Sequence, residues 1–344
     1  MKWIIRQGGK RRGFRYATED GRAVRDTRQL ARIDALRVPP GWSDVHVAVG
    51  ARNAIQAWGL DVKGRKQYRY HQAAVEEGQL RKYHRVRRLA RDLPTIRAAA
   101  YADFRRRGFT KRRIAAAVLR LIGNSFFRVG SEEYAKENKS FGATTLRKDH
   151  VTLHGDRLVF EFRGKSGVAH RHAVSDRQLA ALVRSLRRSP GRRLFRYQTA
   201  EGAWRDLSAD DVNAYIRELT SARYSTKDLR TWGGTLRAAT VLAEVGAAKS
   251  ATDARKNVML AMRLVAAELG NTPAITRASY VHPIVIARYL DAGETIRIPS
   301  AAERDKLRRS GRTGEERALI AFLNLHFPER RKRKRPDAPA DAAR

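Results

Sequence analysis

Near residues 75 to 80 the hydrophobic pattern of this chain changes period, and no single regular element can accommodate both halves. Residues 1 to about 75 carry short apolar or aromatic runs, Trp3-Ile4-Ile5, Val45-His46-Val47-Ala48 and Ala54-Ile55-Gln56-Ala57-Trp58, each broken by Gly, Pro or Asp. Runs of that length between turn formers read as strands. From about residue 80 the spacing is helical: Ile114, Ala117, Val118, Leu121 and Ile122 follow i, i+3, i+4, i+7, i+8. The expected fold class is therefore α+β, with a small β-rich domain over 1–75, a larger, mostly helical domain over 76–327, and a tail over 328–344. Six consecutive basic residues, 330–335, then Pro- and Asp-rich chain, mark the tail as disordered.

The helical pattern is interrupted over residues 148 to 174. Val151-Thr152-Leu153, Leu158-Val159-Phe160-Glu161-Phe162 and Val168-Ala169-His170-Arg171-His172-Ala173-Val174 are separated by His154-Gly155-Asp156 and Gly164-Lys165-Ser166-Gly167. This predicts a three-stranded meander with Lys165 at the glycine-flanked tip of its second turn. His170 and His172 fall on one face of that hairpin. Helices resume behind cap signals: Ser175 with Gln178, Ser208 before Ala209-Asp210-Asp211, and Thr226 before Lys227-Asp228-Leu229-Arg230. The stripe Val258, Met262, Val265, Ala266, Leu269 ends at Gly270. Asn271 then leads into Thr272-Pro273, a cap with Pro at the first helical position, which places Asn271 in a tight corner. Tyr280 follows about two turns later, just before Pro283, which must end or restart the helix.

Charge indicates the partner. With 72 basic against 35 acidic side chains, the formal net charge is +37, and a compact fold with that excess calls for a polyanion, either nucleic acid or an anionic membrane surface. No apolar run approaches the length of a membrane span, and the start of the chain lacks the apolar stretch and cleavage site of a secretory signal. Nucleic acid is thus the expected partner, with no membrane and no small-molecule substrate. The absence of cysteine excludes disulfides and thiolate metal sites and fits an intracellular protein.

Arg128, Lys165, Arg230, Asn271 and Tyr280 are each unremarkable alone. Arg128 could pair with Glu132 or Glu133, Lys165 could be a solvated turn lysine, Asn271 a corner former and Tyr280 a core aromatic. Together they supply what metal-free phosphoryl transfer needs. A tyrosine hydroxyl is a poor nucleophile near neutrality unless cations stand close to its oxygen. Two guanidiniums meet that need and can also grip the non-bridging oxygens of a phosphate as charge grows in the transition state, while Asn271 donates one more hydrogen bond. The departing alkoxide needs a proton. Lys165 is the candidate general acid, and Lys227, one turn before Arg230, could share or relay that proton. No acidic metal cluster and no cofactor enter this scheme.

The segments Val38-Pro39-Pro40-Gly41-Trp42, Asp61-Val62-Lys63-Gly64-Arg65-Lys66-Gln67-Tyr68-Arg69-Tyr70-His71, Arg128-Val129-Gly130 with Tyr134-Ala135-Lys136, Gly164-Lys165-Ser166-Gly167, Lys227-Asp228-Leu229-Arg230-Thr231-Trp232 and Ser279-Tyr280-Val281 resemble those of type IB DNA topoisomerases, most closely the poxvirus-like bacterial branch. The resemblance implies a monomeric, cytoplasmic, nucleoid-associated enzyme that relaxes supercoils through a 3′-phosphotyrosyl intermediate without ATP or metal. Its two domains would close on DNA as a C-shaped clamp. Carried over residue by residue, Tyr280 becomes the nucleophile, Arg128 and Arg230 the transition-state arginines and Lys165 the general acid. Asn271 stands where many members have histidine, which keeps hydrogen-bond donation and excludes proton transfer there. Lys66, Arg69 and Tyr70 in the small domain and Tyr134 in the large one become candidate DNA contacts.

Two other readings stay open at this level. A tyrosine recombinase shares the arginine, lysine and tyrosine chemistry, although it usually has histidine where this chain has Lys227 and a helical rather than β-rich amino-terminal domain. A non-enzymatic DNA-packaging protein would account for the charge and tail but has no use for the five-residue series.

Overall fold

In the computed structural model, residues 2–11, 13–220, 222–300, 303 and 311–328 are described, so the basic run 330–335 lies outside the described residues. The chain divides into two compact units, residues 1–83 and 84–344.

In the first unit the expected strands form one antiparallel sheet of β1 (Trp3–Gly9), β2 (Gly13–Thr18), β3 (Ser43–Ala48), β4 (Ile55–Leu60) and β5 (Lys66–Tyr70), in the order β2-β1-β3-β4-β5. Alternation drives one face inward: Ile4, Val45, Val47 and Ala57 pack with Ile33 in a small core of their own. Ile33 comes from a helix that the apolar pattern did not announce, α1 (Thr27–Ala35). Asp26 caps it by accepting from the Arg28 and Gln29 backbone N–H groups.

The long helix α2 (Gln72–Phe104) leads into the second unit, whose core is separate. At its centre is α3 (Lys111–Ser125), where Ile114, Ala117, Val118, Leu121 and Ile122 are all at most 1% exposed, as their spacing requires. The short α4 (Glu132–Glu137) follows, and then the meander, with β6 (Val151–His154), β7 (Arg157–Arg163) and β8 (Ala169–Ser175) in sequential order. Leu158, Phe160 and Phe162 of the central strand bury against α3 and its neighbours. After it come α5 (Arg177–Arg187), the hairpin β9 (Arg196–Gln198) and β10 (Trp204–Asp206), α6 (Ala209–Glu218), α7 (Thr226–Val245), α8 (Ala251–Leu269), α9 (Pro273–Ser279) and α10 (Pro283–Ala292). The α-with-β class and the meander are as the sequence indicates.

Two caps differ from expectation by one residue. Asp176, not Ser175, caps α5, accepting from the Leu179 N–H while its other oxygen takes the Arg120 Nε at 2.6 Å. A carboxylate that serves both an N-terminus and an arginine outcompetes a hydroxyl. Likewise Ser225 precedes α7, and the Asp228 carboxylate reaches back to its N–H and Oγ at 3.0 and 2.8 Å, which leaves Thr226 inside the helix. Ser208 caps α6 as read.

A last helix, Gly314–His326, is pinned to α2 and α7 through Glu316, which is 2% exposed. Arg97 holds its two oxygens at 2.7 and 2.8 Å, and the Trp232 indole N–H points at one of them from 3.4 Å. Burial pushes this carboxylic acid up, but the Arg97 bonds and charge, with the Thr313 N–H, outweigh it and hold the group below the usual carboxylate value. A carboxylate lowered on folding contributes stability above its unfolded pKa and gives it up as pH falls through the lowered value. Arg97→Ala should therefore cost about 1–3 kcal/mol at pH 7. In thermal unfolding the gap between variant and parent should narrow toward acid pH; a gap that persists unchanged at pH 3 would contradict this role for the ion pair.

Candidate active site

Four of the five residues in the series meet, and glycines permit the meeting. Arg128 lies just past the end of α3, where Phe126 adopts a left-handed conformation (φ 52°) that turns the chain off the helix. Phe127 anchors this turn edge-on against Phe160, Phe162 and His172. The following backbone is held by the loop after α4: Ala143 N–H donates to the Arg128 carbonyl at 2.8 Å, and Thr144 N–H to that of Val129 at 2.7 Å. No side chain fits at Gly142, because a Cβ there would lie 2.6 Å from the Arg128 carbonyl oxygen.

Arg230 stands in the second turn of α7 and is 3% exposed. Immediately after Thr231 and Trp232 on the same helix come Gly233 and Gly234. A Cβ on Gly233 would fall 2.0 Å from the Phe126 ring, and one on Gly234 would fall 2.8 Å from the Tyr280 carbonyl oxygen. The bare glycines thus let the chain bearing Arg128 and the chain bearing Tyr280 both approach α7 next to Arg230. Thr235 completes the attachment: its hydroxyl donates to the Thr231 carbonyl, lies 3.3 Å from the Tyr280 carbonyl and accepts the His282 N–H at 3.0 Å. Tyr280 itself is the C-cap of α9, whose N–H bonds to the Thr276 carbonyl. Pro283 opens α10 two residues after Val281, so the tyrosine sits in a break between helices, as its spacing from Pro283 suggested.

The guanidiniums are held by neutral oxygens, and the buried Arg230 Nε has no hydrogen-bond partner. Arg230 donates to the Leu269 carbonyl at 3.0 Å, and Arg128 to the Gly270 carbonyl at 3.1 Å and to Asn271 Oδ1. Leu269 and Gly270 close α8, so both arginines cap the negative end of one helix. The structural alternative, pairing of Arg128 with Glu132 or Glu133, is not seen among the ion pairs of the described residues, and Glu132 instead binds Arg193 at 2.6 Å. Because arginine only donates, the Asn271 atom facing Arg128 must be its carbonyl oxygen, which fixes the amide orientation. The Nδ2 donor is buried without a hydrogen-bond partner.

Burial pushes both guanidiniums down, Arg230 to about 10, and in each case the Tyr280 hydroxyl opposes the shift by charge and by hydrogen bonding. Both remain cations at neutral pH. The Arg230 guanidinium carbon also lies 5.2 Å from the centre of the Tyr280 ring. The result is a half-buried phenol faced by two cations that keep their charge, beside an unused amide donor. This arrangement suits an anion with several oxygens. Among the described residues no three His, Asp or Glu side chains gather as a metal site would need.

Lys165 is exposed in the 3₁₀ turn Lys165–Gly167, with its ammonium 6.0 Å from the ring of Tyr134 on α4. Lys227 is exposed one turn before Arg230. No direct contact joins either ammonium to the four gathered residues. In the first unit Lys66, Tyr68 and Tyr70 share the exposed face of β5, with Lys66 3.5 Å from the Trp58 ring centre and the two tyrosines stacked. Arg69 points to the other face and donates to the Arg37 carbonyl at 2.8 Å. Sequence reasoning singled out Lys66 and Tyr70 but passed over Tyr68, which strand alternation would have found. It also passed over Gly233-Gly234, whose signal is a pair of adjacent glycines inside a helix.

The family model described as bacterial DNA topoisomerase IB, N-terminal domain, matches residues 13–61, and that described as eukaryotic DNA topoisomerase I, catalytic core, matches residues 65–304, a span that contains all five residues of the series. The DNA topoisomerase 1B of Acanthamoeba polyphaga mimivirus is 30% identical over 296 residues, covering 84% of this chain and 88% of the viral protein. That of vaccinia virus (strain Copenhagen) is 26% identical over 240 residues, covering 68% and 72%.

The glycine pair yields a test of sign. Replacing an ordinary mid-helix glycine by alanine gains about 1 kcal/mol. Gly234→Ala should instead lose about 1–3 kcal/mol in urea unfolding, because the methyl meets the Tyr280 backbone. A stabilised variant would mean that Tyr280 does not depend on this contact.

Proposed function

The chain belongs to the type IB DNA topoisomerase family, and from that premise we propose how its own residues relax supercoiled duplex DNA. Tyr280 attacks a backbone phosphorus through its phenolic oxygen while the bond to the 5′ oxygen breaks. The phenol gives its proton to solvent water, Lys165 gives one to the departing 5′ oxygen and regains it from solvent, and the strand is left as a 3′-phosphotyrosyl ester and a free 5′-hydroxyl. Rotation of the free end dissipates supercoiling. Religation reverses each transfer, so bonds and protons balance over the cycle. One phosphodiester-type ester replaces another, which is why the scheme requires neither ATP nor a metal.

The observation that carries this reading is the convergence of Arg128 and Arg230 on Tyr280 with no carboxylate among the described residues taking up their charge. As the phosphorus becomes five-coordinate, its equatorial oxygens gain charge that two guanidiniums and the Asn271 Nδ2 donor can meet. Asn271 supplies a hydrogen bond and no proton. Lys165, on its exposed turn beside Tyr134, is free to follow the leaving group, and Lys227 is a second proton donor one turn from Arg230. DNA would lie along the exposed Lys66 and Tyr70 face of the first unit and along Tyr134 in the second, with the two units closing on the duplex as a clamp. Arg69 would contribute by holding β5 to the Arg37 backbone. The enzyme acts as a monomer in the cytoplasm, on the nucleoid. No helix among the described residues is long and apolar enough to cross a membrane.

Supercoiled plasmid incubated in EDTA without ATP should be relaxed by the parent protein and not by Tyr280→Phe, which should still bind DNA. Binding without relaxation by both proteins would favour a packaging role, and strand exchange between two defined sites would favour a recombinase. Lys165→Ala should slow cleavage by about 10²–10⁴-fold on ordinary DNA. It should cleave at near parental rate when the 5′ leaving oxygen is replaced by sulfur, since a thiolate needs no proton; a failed rescue would remove Lys165 from the acid role. Asn271→Ala should slow cleavage by about 10²–10³-fold on both substrates, as expected for one lost transition-state donor.

A further inference from the structure

His170 belongs to none of the roles above, yet its ring touches the backbone on both sides of the proposed chemistry. It lies opposite Phe162 in the β7–β8 register, and the two rings stack at 5.0 Å with 8° between planes. Its Nδ1 is 3.2 Å from His172 Nε2. The opposite edge of the imidazole presses on two glycines. A Cβ on Gly164, the residue before Lys165, would lie 2.5 Å from Nε2, and one on Gly270, the residue before Asn271, would lie 2.1 Å from Cε1. Gly270 is also the residue whose carbonyl holds Arg128.

We infer that His170 is a positioning residue: its ring is the spacer that sets the Lys165 turn at a fixed distance from the corner holding Arg128 and Asn271. Gly164 and Gly270 are bare because the ring occupies the space their side chains would need. Phe162 fixes the ring plane and His172 fixes its rotation, so the spacer has little freedom. Burial, His172 and the two site arginines push His170 down to about 4, so the spacer is neutral at physiological pH and adds no third cation beside the guanidiniums. The direct target of this positioning is proton delivery. The turn that carries Lys165 rests on the ring, whereas Arg128, Arg230 and Tyr280 have the α7 and α8 contacts to hold them.

This inference rests on the proposed cleavage reaction and deepens it. The test is single-turnover cleavage by His170→Ala and His170→Phe on two duplexes, one with the ordinary 5′ oxygen at the scissile phosphate and one with sulfur there. His170→Ala should be slowed by about 10²-fold on the oxygen substrate, the usual cost of misplacing a catalytic group by an ångström. On the sulfur substrate it should stay within about threefold of the parent, as Lys165→Ala does, because no proton is required there. His170→Phe retains a flat ring of similar width and should recover most of the oxygen rate. Equal slowing of His170→Ala on both substrates would overturn the inference, since the ring would then be supporting the arginines or the fold. Parental rates on both would overturn it as well. If the parent protein cleaves neither substrate, the cleavage reading itself fails and takes this inference with it.

Discussion

Two guanidiniums brought to one phenol repel each other by about 2–4 kcal/mol at separations of about 4–8 Å and an effective dielectric near 20. The fold offsets that repulsion without neutralising either cation. Leu269 and Gly270 at the carboxyl end of α8 offer carbonyls that their own helix leaves unused, and Arg230 and Arg128 donate to them. A carboxylate would have bound the arginines more tightly and would also have competed with a phosphate for them. The helix end is a partial negative charge, strong enough to seat the guanidiniums and too weak to saturate them.

The rest of the second unit can be understood as what keeps this meeting in register. The α3 stripe buries completely and so fixes where Phe126 turns the chain toward Arg128. Gly233 and Gly234 surrender helix propensity, about 1 kcal/mol each, so that Phe126 and Tyr280 can both lie against α7. Thr235 ties the Tyr280 to His282 segment to the same helix. Tyr280 therefore sits in a break between α9 and α10, yet its backbone is held against α7. Lys165 is organised differently, on an exposed turn whose Gly164 lies against His170.

Much of this was legible in the residues. The strands of the first unit, the meander, the Gly270–Pro273 corner and the helix break before Pro283 each carry a local signal of period or turn chemistry, and each formed. The five-residue series could be picked out because phosphoryl transfer calls for that set of functional groups, and four of its members meet. What the sequence did not expose were contacts made at a distance. That α8 would hold both arginines, that Gly233 and Gly234 face Phe126 and Tyr280, and that His170 wedges between Gly164 and Gly270 all depend on packing between segments far apart in the chain. Helix α1 was missed because only Ile33 of its nine residues is buried, which leaves little apolar pattern to read. The caps of α5 and α7 moved by one residue because an aspartate with a second partner organises each helix start, Asp176 as the cap of α5 and Asp228 by reaching back to Ser225 at α7.

The most direct test of the arginine convergence is a crystal structure of the protein with nicked duplex DNA and orthovanadate, which mimics a five-coordinate phosphorus. The account predicts vanadium bonded to the Tyr280 phenolic oxygen, with Arg128, Arg230 and Asn271 Nδ2 on its equatorial oxygens and the Leu269 and Gly270 carbonyls still accepting from the arginines. Vanadate bound at another hydroxyl, or arginines that must abandon α8 to reach it, would contradict the claim that the free protein already holds this site ready.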